Sequence, residues 1–549
     1  MPTETDTPPA RHWFGLIAVS LGVALIVVDL TIVNVIVAPI IDDLGITSIE
    51  AQWIQESYAI VFAALLLVTG RLADLYGARR LFVIGLVIFG VTSLLAAAAP
   101  NGGALIAARF LQGVGGALIL PTSLALVNAG FAGPARAKAF AIWGSTIGAA
   151  AAVGPLLGGW LADFSWRWAF GINIPLVLVI VAAVLRFVPD RHGLAQSVDG
   201  PAHDRRGRAP RVGGGVDLRG AALSVLGLGL LSFALIEGRH YGWVRTIEPL
   251  VVGGVAWHGG PSPVLVAFLV AMGTLALFWR RQRRLVRTGG EPLLDVRLFG
   301  IVSFRNGNVV TLVVGVGEFG IIAVLPLWMQ FTLGYTAFQT GLALAALAVG
   351  SFVASGASFG MTASAMAQVR IGLVLEAAGL ALLALVAATD TRWWAIVLAL
   401  FVYGVGVGFA TAQVTNVVLA EVPGERAGQG SGIQSAAREL GSALGIAVLT
   451  TLFFSVLGSD LRDRLADTPA ADSLTDAVTA SAGSAIPALA ADPATAPIAE
   501  AARESMSSGL ALTAYACAGL LLVALATTAS IRKRAEPVST PAVDEAAAP

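Results

Sequence analysis

The sequence predicts an all-α integral membrane protein of about fourteen transmembrane helices. Three observations carry that expectation. Of 549 residues, 56% are hydrophobic and only 12% are charged, against about 25% charged in soluble domains. A helix crossing a bilayer needs about 20 apolar residues, and that ruler finds runs at 13–37, 52–72, 80–99, 104–129, 138–162, 167–188, 216–236, 262–280, 304–330, 338–360, 369–389, 393–420, 428–455 and 508–530. The basic residues fall between alternate runs, as the positive-inside rule requires.

Span 1 is too long for the apolar core of a signal peptide. It carries Asp29, about 24 Å past Trp13 at 1.5 Å per residue. Span 2 opens with Glu56, Tyr58 and Phe62 and ends in GRLADLYGARR, residues 70–80. Gly70 and Gly77 suit close approach and a sharp turn. Asp74 ends a membrane helix, where it can pair with an arginine or with the positive N-terminus of another helix. Arg71, Arg79 and Arg80 place this loop in the cytoplasm; the alternative is an ordinary basic loop. Arg109 opens span 4 at a depth similar to Asp29 and Glu56. The three acids and bases at matching depth predict one polar cluster in the first half, since intramembrane charge normally faces an interior cavity. Span 5 reads GSTIGAAAAVGPLLGGWL, with Gly148, Gly154, Pro155, Gly158 and Gly159. The small residues make a packing face, and Pro155 removes a backbone donor and kinks the helix into a hinge.

Residues 189–215 are rich in Arg, Gly and Asp and read as a cytoplasmic linker. Spans 7 and 8, within 216–303, read as an inserted pair. Span 4, RFLQGVGGALILPTSLALV, and span 12, LFVYGVGVGFATAQVTNVV, repeat one glycine pattern, Gly113 and Gly115 against Gly404 and Gly406. Each is then the fourth span of a six-span set, giving bundles at 1–188 and 304–531. In the second bundle Glu318 lies near the middle of span 9. Glu376 in span 11 has only Arg370 as a nearby partner, at poor helical spacing. Residues 456–507, Ala-rich and acidic, read as an extracellular loop, and 532–549 as a cytoplasmic tail. Both termini are expected inside.

Several chemistries are excluded. Lysine occurs only at 138 and 533, so no G-x-x-x-x-G-K-S/T phosphate loop exists. Energy must come from an ion gradient, a separate subunit or the substrate gradient. No cysteine pair, histidine cluster or nucleophile–base arrangement is present, and no metal, cofactor or enzymatic activity is expected. Zero net charge implies no nucleic-acid partner. Arginine in place of lysine points to a GC-rich bacterial genome, and the expected setting is a monomer in the cell membrane.

The loop GRLADLYGARR, the run Arg109–Phe110–Leu111–Gln112–Gly113 and the Gly148…Gly154–Pro155…Gly159 pattern resemble drug:proton antiporters of the major facilitator superfamily. Asp29–Leu30–Thr31–Ile32–Val33–Asn34, Trp166–Arg167–Trp168–Ala169–Phe170 with Asn173 and Pro175, and the inserted pair near Glu237–Gly238 are similar to its fourteen-span branch. The resemblance implies two parallel six-helix repeats and export of a small molecule in exchange for protons. It makes Asp29 and Arg109, with Glu56, candidates for proton coupling. The loop of Gly70, Asp74, Gly77, Arg79 and Arg80 becomes a conformational latch. Glu56 resembles an acid that exporters of cationic compounds place in span 2. The corresponding loop of the second half, GASFGMTASAMAQVR, lacks the acid and the basic pair. Glu318, Glu56, Tyr58, Phe319, Tyr403 and Gln413 are the candidate substrate contacts, with Phe62 and Trp328 as further aromatics. Glu56 and Glu318, read as acids without a compensating arginine, favour amphipathic cations, with ring contacts of about 0.5–2 kcal/mol each. Other readings of the same fold are an importer or an exporter of lipid or metabolite; an intramembrane enzyme or sensor is the remote one.

Overall fold

The computed structural model describes residues 10–46, 48–162, 164–189, 217–252, 255–358, 361, 363–466, 468 and 471–530. The linker at 190–216 and the tail from 531 lie outside the described residues. A backbone in hydrocarbon must satisfy its own polar groups, so long apolar runs become helices. The first set is α1 (Ala10–Leu44), α2 (Ser48–Tyr76), α3 (Ala78–Ala97), α4 (Gly102–Gly130), α5 (Gly133–Ala162), α6 (Arg167–Gly171) and α7 (Asn173–Phe187). The inserted pair is α8 (Leu218–Tyr241) and α9 (Pro263–Thr288), joined by a short antiparallel hairpin of β1 (Leu250–Val252) and β2 (Val255–Trp257). The second set is α10 (Val302–Phe331), α11 (Ala337–Ser358), α12 (Ala365–Val386), α13 (Trp393–Leu419), α14 (Ala427–Arg464) and α17 (Ala496–Thr527), with α15 (Ala471–Ala480) and α16 (Ile486–Ala491) before α17.

Among the described residues, 13 segments are long and apolar enough to cross a membrane, with α6 and α7 forming one of them. Helix α5, 30 residues long, stands outside that count and is also of spanning length. This agrees with the expected number.

The two halves repeat one packing plan. In the first, α1 packs on α5, α2 and α3 both pack on α4, and α7 lies against α1 and α3. In the second, α10 packs on α14, α11 and α12 both pack on α13, and α17 lies against α10 and α12. The glycine repeat explains this. A Cβ on Gly113 would meet the Tyr58 carbonyl of α2 at 2.7 Å, and one on Gly404 would collide with the Leu347 carbonyl of α11. A Cβ on Gly115 would meet the Phe89 nitrogen of α3 at 2.8 Å, and one on Gly406 the Glu376 nitrogen of α12. Each glycine admits the same neighbour in its own half. The inserted α8 packs on α9 and rests against α2 and α14, one helix from each half.

The segment 456–507, expected to be partly helical from its alanines, is largely helical among its described residues. Helix α14 continues to Arg464 and α17 already starts at Ala496. Alanine is the strongest helix former. Arg464 ties the two helix ends together, bonding Asp460 on its own helix at 2.8 Å and Glu504 on α17.

Gly→Ala normally favours a helix by about 0.5–1 kcal/mol, so the sign of a substitution tests this packing. Gly115→Ala and Gly406→Ala are expected to destabilise by about 1–3 kcal/mol through overpacking. Gly159→Ala, which faces open space, should be neutral or stabilising. Thermal unfolding of the purified variants in detergent decides it.

Candidate functional site

The first polar cluster lies wholly within the first half. Asp29 on α1 is 0% exposed and Arg109 on α4 is 1% exposed. Arg109 Nη1 pairs with Asp29 Oδ2 and also donates to Gln112 Oε1 at 2.8 Å. Its Nε donates to the Ile54 carbonyl of α2 at 3.1 Å. Asp29 Oδ1 accepts from Gln112 Nε2 at 2.9 Å and from Asn173 Nδ2 at 3.0 Å. Both amides also donate to Ser93 Oγ on α3, at 2.9 and 3.2 Å. The Tyr58 ring lies under the guanidinium at 4.6 Å and stacks on Phe62. A buried ion pair needs its remaining lone pairs and protons satisfied, and five helices supply the partners. Ser93 had no signal in the sequence beyond being polar in an apolar run.

Glu56 lies one helical turn after Trp53 on α2. Trp53 stacks on Phe233 of α8. Glu56 therefore belongs to the α2–α8 seam, two residues and about 200° around the helix from Tyr58.

In the second half Glu318 on α10 pairs with Arg438 on α14 at 3.0 Å. The expectation that Glu318 stands without a compensating arginine is thereby corrected. The Phe319 ring lies 5.8 Å from the same guanidinium. Arg438 and the adjacent Glu439 escaped the sequence reading, although two charged residues inside span 13 were a usable signal. Glu376 is fully buried, and neither of its oxygens accepts a hydrogen bond among the described residues. Arg370 is not its partner; it bonds the hydroxyl and carbonyl of Thr528 at 3.0 and 2.9 Å. Tyr403 is buried beside Gly379 of α12. Trp328 is buried and donates to Ser507 Oγ of α17 at 3.0 Å, as a packing residue.

The loop at 70–80 forms a contact between halves. Asp74 accepts from the backbone nitrogens of Gly428 at 2.6 Å and Gln429 at 2.9 Å, in the first turn of α14. A helix N-terminus has unsatisfied donors and partial positive charge, so a carboxylate caps it well. Three glycines make the crossing close: a Cβ on Gly70 would meet the Gly428 carbonyl at 2.5 Å and Gly432 Cα at 2.9 Å. Gly77, at φ 92°, turns the chain between α2 and α3. Arg71 pairs with Glu291 at 2.5 Å, Arg79 donates to the Leu185 carbonyl at 2.8 Å, and Arg80 is exposed. The segment after α9 joins the same knot. Asp295 pairs with Arg426 at 2.5 Å and Arg297 at 2.9 Å, and its backbone nitrogen donates to Gln429 Oε1 at 2.9 Å. Burial pushes the Asp295 carboxyl up, but bonds from Arg297 and the charge of Arg426 outweigh it and hold its pKa below the ordinary value.

A second contact between halves was not foreseen. Arg136 in the first turn of α5 donates to Asn416 Oδ1 of α13 at 3.0 Å. Asn416 donates on to Gln413 at 3.3 Å, Gln413 to Ser358 Oγ at 3.1 Å, and Ser358 to Gln368. Gln413, expected against substrate, is thus engaged in this chain. Gly144 and Gly148 bring α5 to α13 and α11, where a Cβ would meet Ala412 Cβ and Ser351 Oγ, each at 3.2 Å. Gly154 instead packs on Thr31 of α1, and Gly159 faces open space. Gly158 is buried, and the Pro155 side chain lies outside the described residues. No group of three or more potential metal ligands occurs among the described residues.

This paired-bundle plan is that of a known family. The sequence profile of the Major Facilitator Superfamily matches residues 19–446. The chain belongs to the Major Facilitator Superfamily. It is 35% identical over 475 residues to a protein named "Probable actinorhodin transporter" from Streptomyces coelicolor, covering 83% of this chain and 75% of that protein. It is 32% identical over 538 residues to the multidrug efflux pump LfrA of Mycolicibacterium smegmatis, covering 96% and 97%. The human organic anion transporter MFSD10 shares the fold at a TM-score of 0.59 and 14% identity, over 95% of this chain and 100% of that one. The protein is a multi-pass membrane transporter of a superfamily that moves small molecules, and is not an enzyme.

Asp74→Asn removes the charge that caps α14. It is expected to slow transport at least several-fold at matched expression while leaving the substrate dissociation constant within about twofold; an interaction of a charged group with backbone donors is worth about 1.5–3 kcal/mol. Arg136→Gln should add to that defect, since the two contacts share no partner. Transport rates of the two single variants and the double variant check both.

Proposed function

We propose that the protein exports amphipathic, drug-sized compounds, cations favoured, in exchange for protons by alternating access. The observation that carries the reading is the Asp29 carboxylate. Intramembrane ionisable residues mark substrate and ion pathways, and this one, on α1, holds an arginine and an amide from α4 and a second amide from α7. A proton on Asp29 would remove the charge that binds Arg109 and turn an acceptor into a donor. The network of Gln112, Asn173 and Ser93 would then have to rearrange, which links protonation to the packing of α1, α3, α4 and α7. Kinship with a protein named as a multidrug efflux pump supports export as the direction.

Glu318, Phe319 and Tyr403 are the proposed substrate contacts, with Tyr58 from the opposite half. Because Arg438 already holds Glu318, a cationic substrate competes with that arginine rather than meeting a bare carboxylate. Glu439 offers a further acid beside it. Glu56, at the α2–α8 seam, is retained as an acid of the coupling and substrate path. The two contacts between halves serve as the latch: both must break when the bundles rock, and the glycine face of α5 is the surface over which they slide. Both termini and the loop at 70–80 are placed in the cytoplasm by their arginines, and the monomer is the working unit.

The test uses proteoliposomes with an imposed pH gradient and a lipophilic cationic dye. Wild-type protein should drive dye against its gradient and release protons when dye is added. Asp29→Asn should lose gradient-driven transport by about 10²-fold while retaining dye binding. Glu318→Gln should reduce transport of cationic dyes at least tenfold relative to neutral ones. Dye movement without proton exchange in the wild type, or equal loss for cations and neutral compounds in Glu318→Gln, would overturn the respective halves of the reading.

A further inference from the structure

Helix α9 presents a long exposed face that ends in a row of arginines. Val266, Leu269, Val270, Gly273, Ala276 and Leu277 form one exposed stripe down its length, while Val264, Ala267, Ala271, Phe278 and Gln282 are buried on the opposite side. The exposed stripe continues into Arg280, Arg283, Arg284 and Arg287. Their spacing is i, i+3, i+4, i+7, so all four lie on one helix face, directly below the apolar stripe. Trp279, 39% exposed and edge-on to Phe299, marks the boundary between the two zones. It lies about 24 Å along the helix from Pro263. That is close to the thickness of a bilayer's hydrocarbon core, about 30 Å.

The four arginines are exposed, and none has a side-chain hydrogen bond or ion pair among the described residues. Among the described residues, the acids that flank this helix are engaged elsewhere. Asp217 binds Arg281, which sits off the stripe, and Glu291 binds Arg71. Asp295 binds Arg297 and Arg426. Four guanidinium groups with no ion pair among the described residues, continuous with an exposed apolar face, suit an anionic headgroup whose tail runs up the same face.

We propose that this face of α9 is a binding site for anionic phospholipid, its phosphate held by Arg280, Arg283, Arg284 and Arg287 and its acyl chains laid against Leu269, Gly273 and Leu277. Guanidinium is the side chain best matched to phosphate, by its planar fork of donors. Basic residues in a cluster just beyond a membrane helix bind anionic headgroups. The site has a route into the protein. Gln282, one residue from the cluster, donates to Asp217 Oδ2 at 3.0 Å and accepts from the Leu294 nitrogen at 3.2 Å. Leu294 immediately precedes Asp295, which bonds the first turn of α14. Headgroup occupancy therefore anchors the helix that holds the segment bracing the Asp74 contact.

The experiment uses the purified full-length protein in detergent and native mass spectrometry. Wild-type protein should retain phosphatidylglycerol at least tenfold more tightly than phosphatidylcholine, and added salt should weaken the preference. Changing all four arginines to glutamine should abolish the preference, and changing all four to lysine should keep most of it. Equal phosphatidylglycerol retention by wild type and the glutamine variant would overturn the site. So would displacement of the lipid by inorganic phosphate at equal concentration, which would mean that any soluble anion suffices. A glutamine variant that does not fold is replaced by the Arg283→Gln/Arg284→Gln pair, for which a several-fold loss is expected and an unchanged preference refutes the proposal.

Discussion

The Asp29–Arg109 pair is the constraint around which the first half is built. Taking two opposite charges out of water costs several kcal/mol per ion, and their attraction alone does not guarantee repayment. The protein offsets the cost by completing the coordination. Gln112 lies one turn after Arg109 on α4, so one helix supplies both the cation and an amide that bridges to the carboxylate. Asn173, at the start of α7, and Ser93, on α3, close the network from the other side. Tyr58 covers the guanidinium face. Removing one partner strands the rest, so the positions of α1, α3, α4 and α7 are mutually dependent.

The repeat was legible because glycine is an unusual requirement. Gly113, Gly115, Gly404 and Gly406 each sit where a neighbouring backbone occupies the space of a Cβ, and that demand leaves a visible pattern in the sequence. Asp74 was legible for a similar reason: a carboxylate at the end of an apolar run needs a partner, and a helix N-terminus is the usual one. Depth along a helix was also readable, and it paired Asp29 with Arg109. Azimuth was not. Glu56 shares that depth but lies about 200° around α2 from Tyr58, because two residues turn a helix that far. Arg438 and Glu439 lie in a run apolar enough to pass as a plain span. Contacts that cross between halves, such as Arg136 with Asn416, depend on how two bundles meet, which no local pattern encodes.

The inserted pair has a defined place in this scheme. Helix α8 rests against α2 and α14, the two helices that meet at the Asp74 contact. Trp53, Phe233 and Tyr241 make an aromatic seam there, and Leu235 packs on Ala443 and Ala447. At the far end Arg239 lies over the Phe454 ring and donates to the Thr479 carbonyl of α15 at 3.3 Å. The pair is thus fastened to the second half at one end and touches the first half along α2. Any rocking of the bundles must shear the α2–α8 face.

The two halves share a backbone plan and differ in chemistry, and the difference is sharpest where they touch. On one side the contact is a carboxylate on a helix N-terminus. On the other, where the second-half loop has no acid to offer, it is an arginine on an asparagine. Both are polar, and both lie over glycine faces that bury little side chain. A polar contact broken in the presence of water is exchanged for water contacts at a net cost of about 1–3 kcal/mol. An apolar interface of the same extent would cost about 25 cal/mol for every Å² exposed. States that must interconvert should differ by only a few kcal/mol. A seam of close backbones held by two polar contacts meets that requirement, because it can be tight in one state without being costly to open.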